Sequence, residues 1–232
     1  MEKARRNGDS FWHPRFPNCI GWIYRELHDF EAARKFDEEG VDIARRHHVL
    51  EAEANSLINR GIDCTYAGQR ECTDEAFEEV KDIFARDAWF RWRYNIRLQA
   101  ATAVHHLRQH ELDKAREYIE RLEKSAREHG VHKYLAVAHQ LAAESLVESG
   151  DLAGAEERFN AALAELKDYP APLVAWKVHA GIARLKSHSG DAVSAAEHAT
   201  RAREIVDSIA ANVSDEKLRE HFLRAAHGSI AS

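Results

Sequence analysis

Apolar and small residues recur along most of the chain at the i, i+3, i+4 spacing of helices that bury one face. Within that pattern the small residues repeat. Gly21, Gly61, Ala103, Ala143 and Ala183 are separated by 40, 42, 40 and 40 residues, each in a stretch where only a small side chain lets a neighbouring helix come close. A second series, Ala33, Ala76, Ala115, Ala155 and Ala195, follows the first by 12 residues, except in the second repeat, where the interval is 15. The extra three residues predict a longer turn there, around Gly68 to Cys72.

Between the two series lie breaks: Leu27-His28-Asp29-Phe30, Gln109-His110-Glu111-Leu112, Ser149-Gly150-Asp151-Leu152 and Ser189-Gly190-Asp191-Ala192. Gly150 and Gly190 suit the left-handed residue that ends a helix, and Asp151 and Asp191 suit the cap of the next one. His28 and His110 fit that glycine position less comfortably. The pattern predicts antiparallel pairs over 15–28 with 30–46, 50–67 with 73–86, 89–109 with 112–128, 132–149 with 152–167 and 172–189 with 192–211. A last helix over 215–226, with Ser214 as N-cap, closes the array. Its Leu218, Phe222 and Leu223 either pack back on the last pair or meet another copy of the chain, which leaves a homo-oligomer open.

Two stretches resemble a known family. Asn18-Cys19-Ile20-Gly21-Trp22-Ile23-Tyr24 followed by Asp29-Phe30-Glu31-Ala32-Ala33 is similar to the tetratricopeptide repeat signature. Ala143, Leu146, Gly150-Asp151-Leu152, Ala155, Phe159, Ala162 and Pro170 follow the same order of small, large, turn, small, aromatic, small and proline. The resemblance covers about residues 15–211. The period of 40 resembles the long-repeat arms of signalling ATPases, kinases and transcriptional regulators. It implies an all-α, right-handed α-α superhelix of five helix pairs plus a capping helix, one domain over 15–226. The tails 1–14 and 227–232 lie outside it, and the first is expected to be disordered.

Composition narrows the chemistry. Lys and Arg number 33 against 39 Asp and Glu, a formal net charge of −6, which argues against nucleic acid or an anionic membrane as the partner. No apolar run approaches the ~18 residues of a membrane span. Cys19, Cys64 and Cys72 are odd in number and show no metal-like spacing. They are expected to be reduced thiols of a cytoplasmic protein, Cys64 and Cys72 acting as small apolar side chains. No phosphate-binding glycine motif is present. His106 and His110, beside His105, share a helical face but have no third ligand, so no metal is expected. His139 and His179, 40 residues apart, read as equivalent packing positions. Asp63 with Cys64, or Cys72 with Asp74, would need a base and an oxyanion hole to act as a nucleophilic site, and the sequence supplies neither. A non-enzyme without cofactors is expected.

The remaining candidates lie on the first helix of each pair, away from the repeat packing. They are Asn18, Trp22 and Arg25; Asn55, Asn59, Ile62 and Tyr66; Arg93, Arg97 and Arg108; then Gln140, Glu144, Lys177 and Arg184. Asn side chains can hold a peptide backbone and Arg forks can hold a carboxylate. At least two of Trp89, Phe90 and Trp92 are expected in the core. The reading is a protein-interaction scaffold that takes a peptide or partner segment in a concave groove. Asn55 and Asn59 would hold its backbone, and Arg93 and Arg97 an acidic group. A sensor or assembly arm of a larger regulator is the alternative, with RNA binding through residues 89–97 behind it.

Overall fold

The structure, a computed structural model, describes residues 2–86 and 89–231, and among these every regular element is helical. A short helix α1 (Glu2–Arg6) is followed by α2 (Phe16–Glu26), α3 (Phe30–Arg46), α4 (Leu50–Tyr66), α5 (Arg70–Ala85) and α6 (Arg91–Arg108). Then come α7 (Leu112–Glu128), α8 (His132–Ser149), α9 (Leu152–Asp168), α10 (Pro172–His188), α11 (Ala192–Ala210) and α12 (Glu216–Ala231). The helices form two compact units, Met1–His105 and His106–Ser232, divided within α6. This is an all-α helical repeat. No helix among the described residues is long and apolar enough to cross a membrane.

The turns carry the periodicity most clearly. His28, His48, Gly68, His110, Gly130, Gly150 and Gly190 all have positive φ, between 54° and 85°. The left-handed residue therefore recurs at helix ends about every twenty positions, with histidine where the sequence lacks glycine. The next helix is capped where aspartate follows: Asp29, Asp151 and Asp191 accept from the amides of Ala32, Gly154 and Ser194. At α12 the cap is Asp215, which accepts from Leu218 N at 2.9 Å, rather than Ser214. The aspartate lies one residue closer to the helix.

The second repeat has no longer turn. Residues 67–69 join α4 to α5, and α5 starts three residues before the expected 73. The residue that follows Gly61 by 12 is Thr73, fully buried, with its hydroxyl 3.3 Å from Gly61 O and from Thr65 Oγ1. Thr73, and not Ala76, is the repeat's small residue, so all five intervals are 12. The hydroxyl made it look polar, but its hydrogen bonds let it pack as a small side chain.

In the first unit, α2, α3, α4 and α5 pack consecutively and α2 also packs on α4. The core joins Val41, Leu57, Ile58, Phe77, Val80, Phe84, Phe90, Tyr94 and Leu98 from α3 to α6 and the residues just before α6. Gly61 is required here, because a Cβ would collide with the Phe77 ring. Of Trp89, Phe90 and Trp92, only Phe90 is buried; Trp89 and Trp92 are 76% and 49% exposed, against the expectation of two in the core. Residues 7–15 are structured by Asp9, whose carboxylate accepts from the amides of Phe11 and Trp12, and by Arg15, which pairs with Glu51.

In the second unit, α7 to α12 pack in chain order and α8 packs on α10. Phe159 is buried against Gly181 with Val178, Ile182 and Leu185. The last helix runs to Ala231 and packs on α11 and α10, with Phe222 fully buried. His139 and His179 do occupy equivalent packing positions: each meets the residue 19 further on, Arg158 and His198, at 3.2 and 2.9 Å.

One pair of cysteines departs from expectation. Cys64, in the last turn of α4, and Cys72, in the first turn of α5, form a disulfide, with Cα atoms 5.9 Å apart. The helical hairpin brings them together, which their spacing of eight does not reveal. Of the three cysteines, Cys19 remains a thiol.

Candidate functional site

The residues singled out on α2, α4 and α6 of the first unit do come together, around a charge cluster the sequence did not suggest. Arg25 lies between two carboxylates. Its Nε donates to Asp63 at 2.6 Å and its Nη2 to Asp37. Asn59 Nδ2 donates to Asp37 Oδ1 at 2.8 Å and to Asn18 O at 3.0 Å. Asn55 Nδ2 donates to Asn18 Oδ1 at 2.7 Å, and Arg97 Nη2 to Asn59 Oδ1 at 2.7 Å. Asn18, Arg25, Asp37, Asn59 and Asp63 are each at most 7% exposed.

Burial dominates the electrostatics. It raises the Asp37 pKa to about 8, against the pull of Arg25 and with the added repulsion of Asp63. Asp63 is raised for the same reason, again against Arg25. For Arg25, burial favours the neutral form, but the two carboxylates outweigh it and raise the pKa. One guanidinium and two ionised carboxylates would leave a net negative charge in the interior, which a shared proton removes.

The network links four helices, α2, α3, α4 and α6, and leaves a cationic rim. Cys19 on α2 is exposed, and Arg97 and Arg93 on α6 act on its thiol. Burial raises that thiol's pKa, and the two arginines oppose the rise. Side chains of α2 and α6 are thus joined through Asn59 of α4. Arg93 is exposed and lies over the Tyr94 ring at 5.5 Å. Arg97 is half-buried on Asn59. Among the described residues neither has a carboxylate partner, as is also true of Arg46, Arg60 and Arg91 in the same unit, while Arg15, Arg34, Arg45 and Arg70 are ion-paired.

The predicted site therefore separates into layers. Asn18, Arg25 and Asn59 are internal, their polar groups used on one another. Asn59 has both amide hydrogens and its oxygen engaged, so the expected grip of Asn59 on a peptide backbone is not available in this arrangement. Asn55 is half-buried, and its Oδ1 accepts no hydrogen bond. Trp22 is half-buried, Ile62 packs on the core and Tyr66 stacks on Phe30 at 4.8 Å. Arg108 and Arg184 fall in the second unit. Arg108 is exposed, and Arg184 donates to Ser229 O of α12 at 3.2 Å. There the same line of positions is neutralised locally: Gln140 donates to Glu144 at 3.0 Å, and Lys177 and Arg184 act on that carboxylate.

Asp37 and Asp63 had not been read as members of the site. A signal for Asp37 exists. The residues 16 positions after Gly21, Gly61, Ala103, Ala143 and Ala183 are Asp37, Phe77, Ile119, Phe159 and Ala199. A carboxylate stands where the other repeats place apolar side chains, and its neighbour is Gly21, whose Cβ would meet it. The histidines considered for metal turn to separate carboxylates, His106 to Glu111 and His110 to Glu148. The sequence matches no known family model, and no curated protein matches it.

Proposed function

We propose that this chain is a tetratricopeptide-like interaction module whose first unit binds an acidic peptide, or an acidic segment of a partner protein, on the face formed by α2, α4 and α6. The observation that carries this reading is the pair Arg93 and Arg97. Two guanidiniums one turn apart, without carboxylate partners among the described residues, are an incomplete electrostatic arrangement in a chain with excess acid. A ligand carboxylate completes it by a charge-assisted, two-point contact.

The buried network supports the reading by fixing the rim. Arg97 is oriented through Asn59, which is itself held by Asp37 and Asn18. A pre-oriented fork loses less conformational entropy when it binds than a free one. Trp22, beside Cys19, offers apolar contact next to the arginines, the usual partner of charge in peptide recognition.

The test is fluorescence anisotropy with a rhodamine-labelled hexaglutamate peptide, titrated with the parent and with Arg93→Ala/Arg97→Ala. The parent is expected to bind saturably, more weakly as salt rises. The double variant should bind at least about tenfold more weakly, the loss of one charge-assisted contact, and melt a few degrees lower because buried Asn59 Oδ1 loses its donor. Equal affinity of the two proteins overturns the proposal.

A further inference from the structure

We propose that Asp37 and Asp63 form a single buried proton-binding site, and that the proton it holds strengthens the binding of acidic ligands at Arg93 and Arg97. The first part stands on the geometry of the cluster alone. The second rests on the binding reading above.

Consider the oxygens. Asp63 Oδ1 accepts from Arg25, but Asp63 Oδ2 is buried and has no donor. Asp37 is its neighbour across one guanidinium, because Arg25 donates to both carboxylates. Two buried carboxylates held on one guanidinium repel each other unless one of them carries a proton. Both oxygens of Asp37 are already used, one by Arg25 and one by Asn59, while Asp63 keeps one oxygen without a donor, so the proton belongs to the pair and to neither residue alone. The pair then titrates as one site.

The charged groups acting on it come from α2, α3 and α6. From α2 there are Arg25, Glu26 beside it, and Cys19; from α3, Arg34, which acts on Asp63; from α6, Arg97, one asparagine away. The three arginines remain charged at all accessible pH. The Cys19 thiol, pushed up by burial, stays protonated near neutrality.

The coupling path is short. Asp37 Oδ1 accepts from Asn59, whose Oδ1 accepts from Arg97. When the site loses its proton, a full negative charge appears behind Arg97. That charge attracts the guanidinium inward and repels an incoming carboxylate. Affinity for an acidic ligand therefore falls as pH rises through the site's pKa. By linkage, ligand binding must draw a proton in.

Asp63→Asn provides the control, since its amide keeps an oxygen for Arg25 and places an N–H where the shared proton sits. Binding of the same hexaglutamate peptide is measured from pH 7 to 9, above the histidine range. For the parent the dissociation constant is expected to rise about threefold to tenfold, the scale of one charge set behind a protein rim. For Asp63→Asn it should stay flat, near the parent's value at pH 7. A flat profile in the parent, or equal slopes in both proteins, overturns the coupling while leaving the binding reading intact.

If the peptide binds at no pH, the binding reading fails and the coupling with it. The proton site is then decided without ligand, from the protonated-carboxyl stretch in infrared difference spectra of the parent at pH 7 against pH 9. A band lost on raising the pH establishes the site. Its absence overturns the site, whatever the peptide does and even if Asp63→Asn fails to fold.

Discussion

Replacing Arg25 by methionine tests whether the cluster at the heart of the first unit is a buried ion triad. The side chains of Arg25, Asp37 and Asp63 are 7%, 0% and 2% exposed, so removing the guanidinium leaves two carboxyls with almost no water. Breaking a buried pair in this way costs about 3–5 kcal/mol. The cost must depend on pH. In the parent the folded cluster holds about one proton more than the unfolded chain between the ordinary aspartate pKa and about 8. Without Arg25 it must hold two, and each extra proton steepens the loss of stability by about 1.4 kcal/mol per pH unit as pH rises.

Urea unfolding followed by tryptophan fluorescence suits the assay. Trp12, Trp22, Trp89 and Trp92 all report on the first unit, and Trp176 alone on the second. Arg25→Met should be most destabilised at pH 8 and recover towards pH 5. A companion variant, Arg25→Leu/Asp37→Ile/Asp63→Leu, places at each position a residue that another repeat already uses there: Leu107, Ile119 and Leu185. It should match or exceed the parent in stability and lose the pH slope, as apolar replacements of buried ion clusters commonly do. A loss below about 1 kcal/mol for Arg25→Met, independent of pH, is what a hydrated cluster would give, and it would refute the reasoning.

Three other predictions follow from the fold. His48, exposed at φ 54°, holds a turn that glycine adopts without strain, so His48→Gly should raise stability by about 0.5–1 kcal/mol in urea unfolding. Cys72→Ser, or reduction of the Cys64–Cys72 bond, opens a loop of eight residues and should cost about 2–3 kcal/mol on the loop-entropy estimate; no change in the urea midpoint would count against that estimate. The His179 pKa is lowered to about 4, first by burial and then by His198. The unfolded chain therefore binds more protons below about pH 6.5, and the second unit's melting temperature should be steady above that and fall as pH drops towards 4. His179→Phe should blunt the fall.

Much of the fold was legible because each repeat obeys simple steric rules. Gly21 and Gly61 sit where a Cβ collides with a neighbour, and aspartates follow the left-handed turn residue at three of the helix starts. Such constraints act locally and leave their mark at a fixed spacing. The misreadings have a common cause. The second repeat's small residue is Thr73 and not Ala76, because the threonine hydroxyl finds partners, Gly61 O and Thr65, on the preceding helix. Cys64 and Cys72 appeared unrelated because the hairpin, and not their separation, sets their distance. Trp89 and Trp92 looked like core by size, yet only Phe90 between them points inward.

The candidate site was harder because a sequence shows which residues share a helical face but not how deep that face lies. Asn18, Arg25 and Asn59 are expected at the surface and lie inside, with their polar groups used on one another or on Asp37 and Asp63. Depth followed from the one repeat that breaks the apolar rule. With Asp37 in the place of Phe77, Ile119 or Phe159, the first repeat cannot close on a hydrophobic contact and closes on Arg25 instead. Arg25 in turn requires Asp63, and Asn59 fills the remaining acceptor and reaches Arg97. Each polar residue is thus explained by the one before it, and the sequence of requirements runs outward from the core to the rim. A hydrophobic repeat would have been simpler and, on the argument above, at least as stable. The polar chain instead places the orientation of a surface arginine under the control of a buried charge, which no apolar packing can do.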